Sequence, residues 1–199
     1  MAGVTDGPGT RRADGERFAL AILCTANRFR SPIAAGFVRR LAAGIPVDVH
    51  SAAATGSDGG RALAQALDLA AARGLDLGAH RSHALRHGEL VDADLVLGFE
   101  RTHVAAAVVN GGAMRERAFT MPEFVALAEA AEPPPGDGPV ERARGVVRAA
   151  AALRSSAPAA AELELADPIG GPERGYRDAA LALEELCERL VDVLFGVRR

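Results

Sequence analysis

The first ordered pattern in the chain is an apolar run at 18–23, followed by a short polar loop and an amphipathic segment. The run does not alternate, which is typical of a central parallel strand covered on both faces. Beyond the loop, Pro32 suits a first helical position, and apolar residues recur every four positions over 33–41. Gly44 is expected to end this helix. The pattern therefore predicts a strand, a tight loop and a helix.

Strands and helices alternate along the rest of the chain. Further strands are predicted at 47–50, 94–99 and 117–120, and helices at 61–73, 87–93, 101–110, 122–132, 140–153 and 173–195. Such alternation predicts an α/β fold, a three-layer sandwich in which helices cover both faces of a parallel sheet. Functional sites of these sheets lie at the carboxyl ends of the strands. The loop after the first strand is therefore the expected site.

Composition limits the chain to one domain with a core of small and aliphatic residues. The length of 199 residues suffices for one α/β domain, and with 4% aromatic residues the core must consist of Ala, Leu and Val. Residues 1–16, rich in Gly, Asp and Arg, are expected to form a disordered tail, which leaves 17–199 as the domain. The proline-rich stretch 133–138 is interpreted as a surface loop, because no second core-sized segment follows it.

Charge and cysteine content exclude several classes of protein. A net charge of −3 gives no reason to expect nucleic acid or a membrane surface as partner. No apolar run approaches the length of a membrane span, and the N-terminus has no hydrophobic signal core. The two cysteines, Cys24 and Cys187, are too few for a secreted disulfide scaffold. A cytoplasmic location is the expectation, and oligomeric state stays open.

The loop Cys24–Ser31 carries the strongest chemical signal. Backbone N–H groups and the positive end of the following helix form an oxyanion site, and the same field favours the thiolate of Cys24. Arg30 offers a planar fork for two oxygens, and Ser31 a hydrogen bond to the thiolate. The predicted phosphate-binding residues are Thr25, Ala26, Asn27, Arg28, Phe29, Arg30 and Ser31. The pattern indicates nucleophilic attack by Cys24 on a phosphate-like group; the alternative is a buried cysteine beside a solvated arginine.

The motif C-T-A-N-x-x-R-S-P at 24–32 resembles the phosphate loop of the low-molecular-weight protein tyrosine phosphatases. Further similar motifs follow in the family's order, so that the resemblance covers 18–195. They are Ser51-Ala52, His80-Arg81-Ser82, the segment 93–97 and Asp167-Pro168. The resemblance implies a four-stranded parallel sheet and phosphomonoester hydrolysis through a phosphocysteine, without a metal or another cofactor. It also implies a phosphotyrosine protein or a small phosphate ester as substrate.

The resemblance assigns roles to residues outside the loop. Asp167 would protonate the leaving oxygen and then serve as base for the attacking water, although an Asp before a proline is also a common turn former. Asn27, Ser51 and His80 resemble the family's supporting network, in which side-chain hydrogen bonds hold the loop backbone. Together with Ser31 they are the expected supporting residues; for His80 the alternative is an exposed loop histidine.

No metal site is predicted. Four further histidines show no metal-ligand spacing with cysteine or acidic residues: His50, His83, His87 and His103. No other cofactor is expected either, as the resemblance implies.

Several positions depart from the family's pattern. Phe29 stands where a second loop cysteine is common, so reversible disulfide protection of Cys24 is expected to be absent. Ala26 replaces a frequent glycine. Arg28 replaces an apolar residue and is expected to select anionic substrates. Ile169 and the glycine after it stand where aromatic residues usually form the wall for a phosphotyrosine ring, which leaves the substrate open.

Two alternative functions remain at this stage. One is arsenate reduction with an external thiol, and the other is a phosphate-binding pseudophosphatase. Cys187 lies on the apolar stripe of the last helix, which favours a core residue over a resolving thiol. The presence of Cys24, Arg30 and Asp167 together favours hydrolysis over binding alone.

Overall fold

A computed structural model describes residues 17–132, 137–154 and 163–197. Its sheet consists of four parallel strands in the order β2-β1-β3-β4. The strands are β1 (Phe18–Cys24), β2 (Val47–Ala53), β3 (Leu95–Gly98) and β4 (Ala118–Thr120). The sheet therefore has the four parallel strands expected from the sequence, and β1 is central, with β2 on one side and β3 on the other.

Six α-helices connect and cover the strands in the described part of the chain. They are α1 (Arg30–Leu41), α2 (Ala64–Ala71), α3 (Arg101–Val109), α4 (Met121–Ala130), α5 (Pro139–Leu153) and α6 (Glu173–Phe195). Helices α1, α4, α5 and α6 pack together on one face, and α3 covers the other. Helix α5 contributes to the hydrophobic core, in which its residues Ala143 and Ala150 are fully buried. The architecture is the predicted three-layer sandwich.

The buried strand β1 shows why its apolar run does not alternate. Leu20 and Ile22 face the larger cluster of buried side chains under α1 and α6, whereas Ala21 and Leu23 face the smaller cluster under α3. All four are buried. A strand with helices on both faces must be apolar on both. Its carboxyl end delivers Cys24 to the edge where the loop to α1 begins.

The segment 87–93 is not a helix, contrary to the sequence-based prediction. It forms turns, because Gly88 has a φ of +74°, which is outside the helical region. In addition, the side chain of Glu89 accepts a hydrogen bond from the backbone N–H of Arg86. The prediction of a helix rested on local apolar spacing. In the structure, backbone N–H groups of this segment instead bond to the carbonyls of the distant residues Asn110 and Gly111.

Smaller differences concern helix boundaries and the undescribed ends. Helix α1 begins at Arg30, so Pro32 is its third residue, a first-turn position where the missing N–H costs nothing. Helix α2 is shorter than the predicted 61–73. The expected tail at 1–16 lies outside the described residues, as do residues 133–136 of the proline-rich stretch. Within the described ranges, no helix is both long and apolar enough to cross a membrane.

Candidate active site

The loop between β1 and α1 brings the side chains of Cys24 and Ser31 together. Sγ of Cys24 lies 3.1 Å from Oγ of Ser31, and the backbone N–H of Asn27 donates to the same sulfur at 3.2 Å. Asn27 has a φ of +53°, a left-handed conformation that asparagine tolerates better than most residues. The loop therefore curls around the sulfur, which accepts from the polar groups that would stabilise a thiolate.

The side chain of Asn27 fixes this curl from behind. Its Nδ2 donates to Oγ of Ser31 at 2.8 Å and to Oγ of Ser51 at 3.0 Å. Its Oδ1 accepts from the backbone N–H of His83 at 3.0 Å, and Nε2 of His80 donates to its backbone carbonyl at 2.7 Å. Asn27 is fully buried, and all of these polar atoms are paired. The structure thus brings together Asn27, Ser31, Ser51 and His80, the four predicted supporting residues.

The guanidinium of Arg30 is buried, and each of its two terminal nitrogens has hydrogen-bond partners. Nη1 donates to Glu100 at 2.5 Å and to the carbonyl of Leu165 at 2.8 Å. Nη2 donates to Oγ1 of Thr25 at 3.0 Å and to the carboxylate of Asp167. A buried cation must be paired, and these contacts hold the planar group in one orientation. The alternative of a solvated Arg30 is therefore wrong, since Arg30 is 1% exposed.

Asp167 lies beside the loop although it is 143 positions from Cys24 in the sequence. Its Oδ2 accepts from Oγ1 of Thr25 at 3.3 Å and from Arg30. Its other oxygen accepts from the N–H of Ile169 at 3.2 Å, the turn-forming bond that the alternative interpretation required. Asp167 therefore forms the turn and faces the loop at once. The segment is tied to the sheet because the N–H of Leu165 donates to the carbonyl of Phe99 at 2.9 Å.

Two residues of α3's start, Glu100 and His103, belong to the site and were missed by sequence reasoning. Nδ1 of His103 accepts from the N–H groups of Phe99 and Glu100, each at 3.2 Å. The ring proton of the neutral imidazole must then lie on Nε2, which donates to Oγ1 of Thr25 at 3.1 Å. Burial, together with the positive charge of Arg30, lowers the pKa of His103 to about 4. His103 is therefore a neutral donor at pH 7.

Only a weak sequence signal could have pointed to this chain of bonds. The only one available was that Glu100 and His103 follow β3, whose carboxyl end lies at the same edge of the sheet as that of β1. The hydroxyl of Thr25 accepts from Arg30 and His103 and donates to Asp167. This uses the full hydrogen-bonding capacity of a hydroxyl group.

The positions that depart from the family's pattern have distinct surroundings. The ring of Phe29 is buried and packs edge-on against Tyr176, with centroids 5.2 Å apart. The hydroxyl of Tyr176 in turn accepts from the N–H of Gly170. Tyr176 therefore joins the phosphate loop to the Asp167 segment from the core side. Arg28 is exposed and donates to the carbonyl of Arg61 at 2.8 Å.

The second cysteine, Cys187, has surroundings unlike those of Cys24. Cys187 is fully buried on α6, where its sulfur lies 3.7 Å from the carbonyl of Ala34. Burial raises the pKa of the Cys187 thiol far above its usual range, so it stays a protonated core residue. The prediction that Cys187 is a core residue is consistent with this position.

The loop before α1 brings together the thiol of Cys24, the guanidinium of Arg30 and the carboxylate of Asp167. These are the groups that phosphoryl transfer through a cysteine requires. Fold and site define the class of cysteine-dependent phosphatases with a phosphate loop after the first strand. Residues 19–139 match the family model described as low molecular weight phosphotyrosine protein phosphatase. The chain belongs to this family, and it is a cysteine-dependent phosphatase.

Relatives extend the similarity over most of the chain. The protein-arginine-phosphatase of Geobacillus stearothermophilus is 27% identical over 178 residues, which cover 89% of this chain and 96% of the relative. The protein-arginine-phosphatase of Bacillus subtilis is 31% identical over 108 residues, 53% of this chain and 71% of the relative. The solution structure of a low molecular weight protein tyrosine phosphatase from Bacillus subtilis superposes with a TM-score of 0.65 at 25% identity, covering 92% and 100% of the two chains.

Proposed function

We propose that this protein removes a phosphoryl group from a phosphoprotein through a phosphocysteine formed on Cys24. The thiolate attacks phosphorus, the bond to the leaving atom breaks, and Asp167 gives its proton to that atom. Arg30 and the loop N–H groups of 25–31 bind the equatorial oxygens, where negative charge develops. Ser31 and the N–H of Asn27 stabilise the thiolate before attack and again when it leaves.

The second half-reaction returns the enzyme to its starting state. Asp167, now a carboxylate, takes a proton from a water molecule while the water oxygen attacks phosphorus. The phosphorus–sulfur bond breaks, inorganic phosphate departs and Cys24 is a thiolate again. One group on a separate segment therefore serves both steps. The observation that carries this proposal is the convergence of Thr25, Arg30 and Asp167, in which Nη2 of Arg30 donates to both partners.

Phosphotyrosine is one candidate substrate, as the family description suggests, and phosphoarginine is a second. The curated relatives are protein-arginine-phosphatases, which supports the second candidate. The residues that follow Asp167 and Pro168 support it too, because they are an exposed Ile169 and Gly170 rather than aromatic residues. A phosphoarginine side chain has an aliphatic stem instead of an aromatic ring, so it loses no ring contact where aromatic residues are missing. The cytoplasmic location stays a prediction.

Steady-state kinetics with matched peptides decide between the substrates. We expect one of the two peptides, phosphotyrosine or phosphoarginine, to be hydrolysed with kcat/KM well above that of a small aryl phosphate. Loss of turnover in Cys24→Ser and Arg30→Ala tests the chemistry, and acid quenching of wild type should trap a phosphocysteine. If neither variant loses activity, Cys24 and Arg30 are not the groups proposed. If arsenite forms in a thiol-dependent reaction while esters are inert, arsenate reduction replaces hydrolysis.

A further inference from the structure

A second cluster of reactive side chains lies outside the phosphate loop, at the edge of the sheet beside β2. Nε2 of His50 lies 3.0 Å from Oε1 of Glu89, and Nε2 of His83 lies 2.6 Å from the same oxygen. The two imidazole rings are nearly perpendicular, with centroids 5.1 Å apart. One ligand atom from each of the three residues lies within 4.8 Å of the other two. Two imidazole nitrogens and a carboxylate oxygen thus converge on one point.

The three residues come from separate parts of the chain, so no local spacing reveals them. His50 is on β2, whereas His83 lies in the segment that continues the sheet edge through a parallel bridge between Ala53 and Ala84. Glu89 belongs to the turns at 87–93 that replace the predicted helix. The sequence-based prediction of no metal site rested on residue spacing and on the family resemblance. The tertiary structure supplies the convergence that spacing lacks.

An outer hydrogen bond holds Glu89 in place, and a carboxylate lies close to His83. Oε2 of Glu89 accepts from the backbone N–H of Arg86 at 2.8 Å, which leaves Oε1 for the imidazoles. Nδ1 of His83 lies 3.7 Å from Oδ1 of Asp58. Asp58 is itself held by the N–H of Ala84 at 2.7 Å and by the guanidinium of Arg86 at 3.2 Å. A carboxylate behind an imidazole is the arrangement that orients histidine ligands in metal sites.

We propose that His50, His83 and Glu89 bind a divalent transition-metal ion of the Zn²⁺ type. Two imidazoles and a carboxylate are the ligands that Zn²⁺ takes in three-residue sites, with a fourth position for water. The side chain of His50 is 48% exposed, so both the ion and the water have access. Mg²⁺ and Ca²⁺ prefer sites made of oxygen atoms and are not expected here. Without a metal, each Nε2 would need a proton to bond to Oε1 of Glu89. A bound metal ion takes the place of both protons.

The ion would brace the phosphate loop rather than take part in phosphoryl transfer. His83 holds Asn27 through its backbone N–H, and His50 precedes Ser51, whose hydroxyl holds the Nδ2 of Asn27. The metal would therefore join the two segments that support Asn27. None of the three ligands comes from the loop Cys24–Ser31. The proposal does not depend on the proposed function and stands or falls separately from it.

Zinc titration of untagged, metal-free protein tests the site. The measurements are made on wild type and on Cys24→Ser, because a nucleophilic thiolate is itself a zinc ligand. We expect both proteins to bind one equivalent of Zn²⁺ by calorimetry and to gain thermal stability with it. His50→Ala and His83→Ala, each in the Cys24→Ser background, should lose the high-affinity equivalent and the gain in stability. Asp58→Asn should weaken binding by about 10- to 100-fold.

His87→Ala is the matched control, because His87 is an exposed histidine near the cluster but outside it. It should bind zinc as Cys24→Ser does. His50 is on an edge strand and half exposed, so His50→Ala is expected to fold, which far-ultraviolet circular dichroism checks. Zinc bound equally well by the His50→Ala and His83→Ala variants would overturn the proposal, as would the absence of stoichiometric binding to any of these proteins. In the latter case the three side chains form an ion pair only.

Discussion

Oγ1 of Thr25 lies 3.1 Å from Nε2 of His103, and through this contact a histidine on α3 orients the phosphate loop. His103 receives its own orientation from the N–H groups of Phe99 and Glu100. The hydroxyl of Thr25 then has its hydrogen directed at Asp167. The result is a fixed path from the end of β3 to the proposed general acid. Thr25 and His103 are therefore positioning residues of the proposed mechanism.

Removing the hydroxyl of Thr25 tests this path. Thr25→Val keeps the shape of the side chain, but it removes the acceptor for Nε2 of His103 and the hydroxyl that donates to Asp167, which keeps its bonds from Arg30 and Ile169. We expect kcat to fall about 10-fold and KM to stay nearly unchanged. Loss of a general acid would lower kcat by at least about 100-fold. The measurement is steady-state hydrolysis of an aryl phosphate across pH. Thr102→Val, at an exposed position of α3, is the control, and an equal loss there would contradict the path.

His103 is expected to stay neutral in mildly acidic solution because its pKa is lowered. Its imidazole should stay neutral, with the proton on Nε2, until the pH approaches about 4. The unfolded chain takes up this proton near the ordinary pKa of 6.5, so it binds more protons than the folded state between these values. The free energy of unfolding should therefore be fully retained above pH 6.5 and fall as the pH drops from 6.5 towards 4.

Nuclear magnetic resonance of the histidine side chains measures this directly, and urea unfolding of wild type and His103→Asn at several pH values measures the consequence. His103→Asn lacks the titrating group, so its stability should depend less steeply on pH in this window. Identical slopes for the two proteins, or an imidazole that titrates near pH 6.5, would contradict the assignment.

Asp167 is expected to matter most when the leaving group is poor. Asp167→Asn removes the proton that the leaving atom needs, so kcat/KM, which reports on formation of the phosphocysteine, should fall by about 10² to 10⁴ for a phenyl phosphate. The loss should be smaller for a nitrophenyl phosphate, whose leaving group needs no proton. Asp178→Asn, at an exposed position on α6, should have no effect. A uniform loss for both esters would exclude Asp167 as the acid.

Oxidation of Cys24 is expected to produce no disulfide within the protein. Phe29 occupies the place of a second loop cysteine and is packed against Tyr176, and Cys187 is buried on α6. Peroxide should therefore inactivate wild type by oxidising Cys24 along the sulfenic and sulfinic acid series. Mass spectrometry should detect added oxygen rather than loss of two hydrogens. Phe29→Cys should form the disulfide and regain activity with dithiothreitol; a disulfide in wild type would contradict the prediction.

The local chemistry was predictable because it is contiguous in the chain. Cys24, Arg30 and Ser31 lie within eight positions on a strand-loop-helix unit, where the apolar run and Pro32 specify the backbone. Asp167 and the supporting residues were predictable only through the resemblance, which carries long-range information that residue spacing does not. Strands β1 and β3 were predictable because their buried runs are short and strongly apolar, whereas the number of four parallel strands was implied by the resemblance.

The sequence by itself determined which residues form the phosphate loop and which segments form the strands around it. Only the tertiary structure decided what holds those residues in place. Glu100 and His103 act on the loop because β3 is the neighbour of β1, and sheet order is a property of the whole fold. His50, His83 and Glu89 meet for the same reason, across turns that local periodicity predicted as a helix. Hydrogen bonds between distant segments leave no periodic trace in a sequence, whereas burial of a strand or a helix face does.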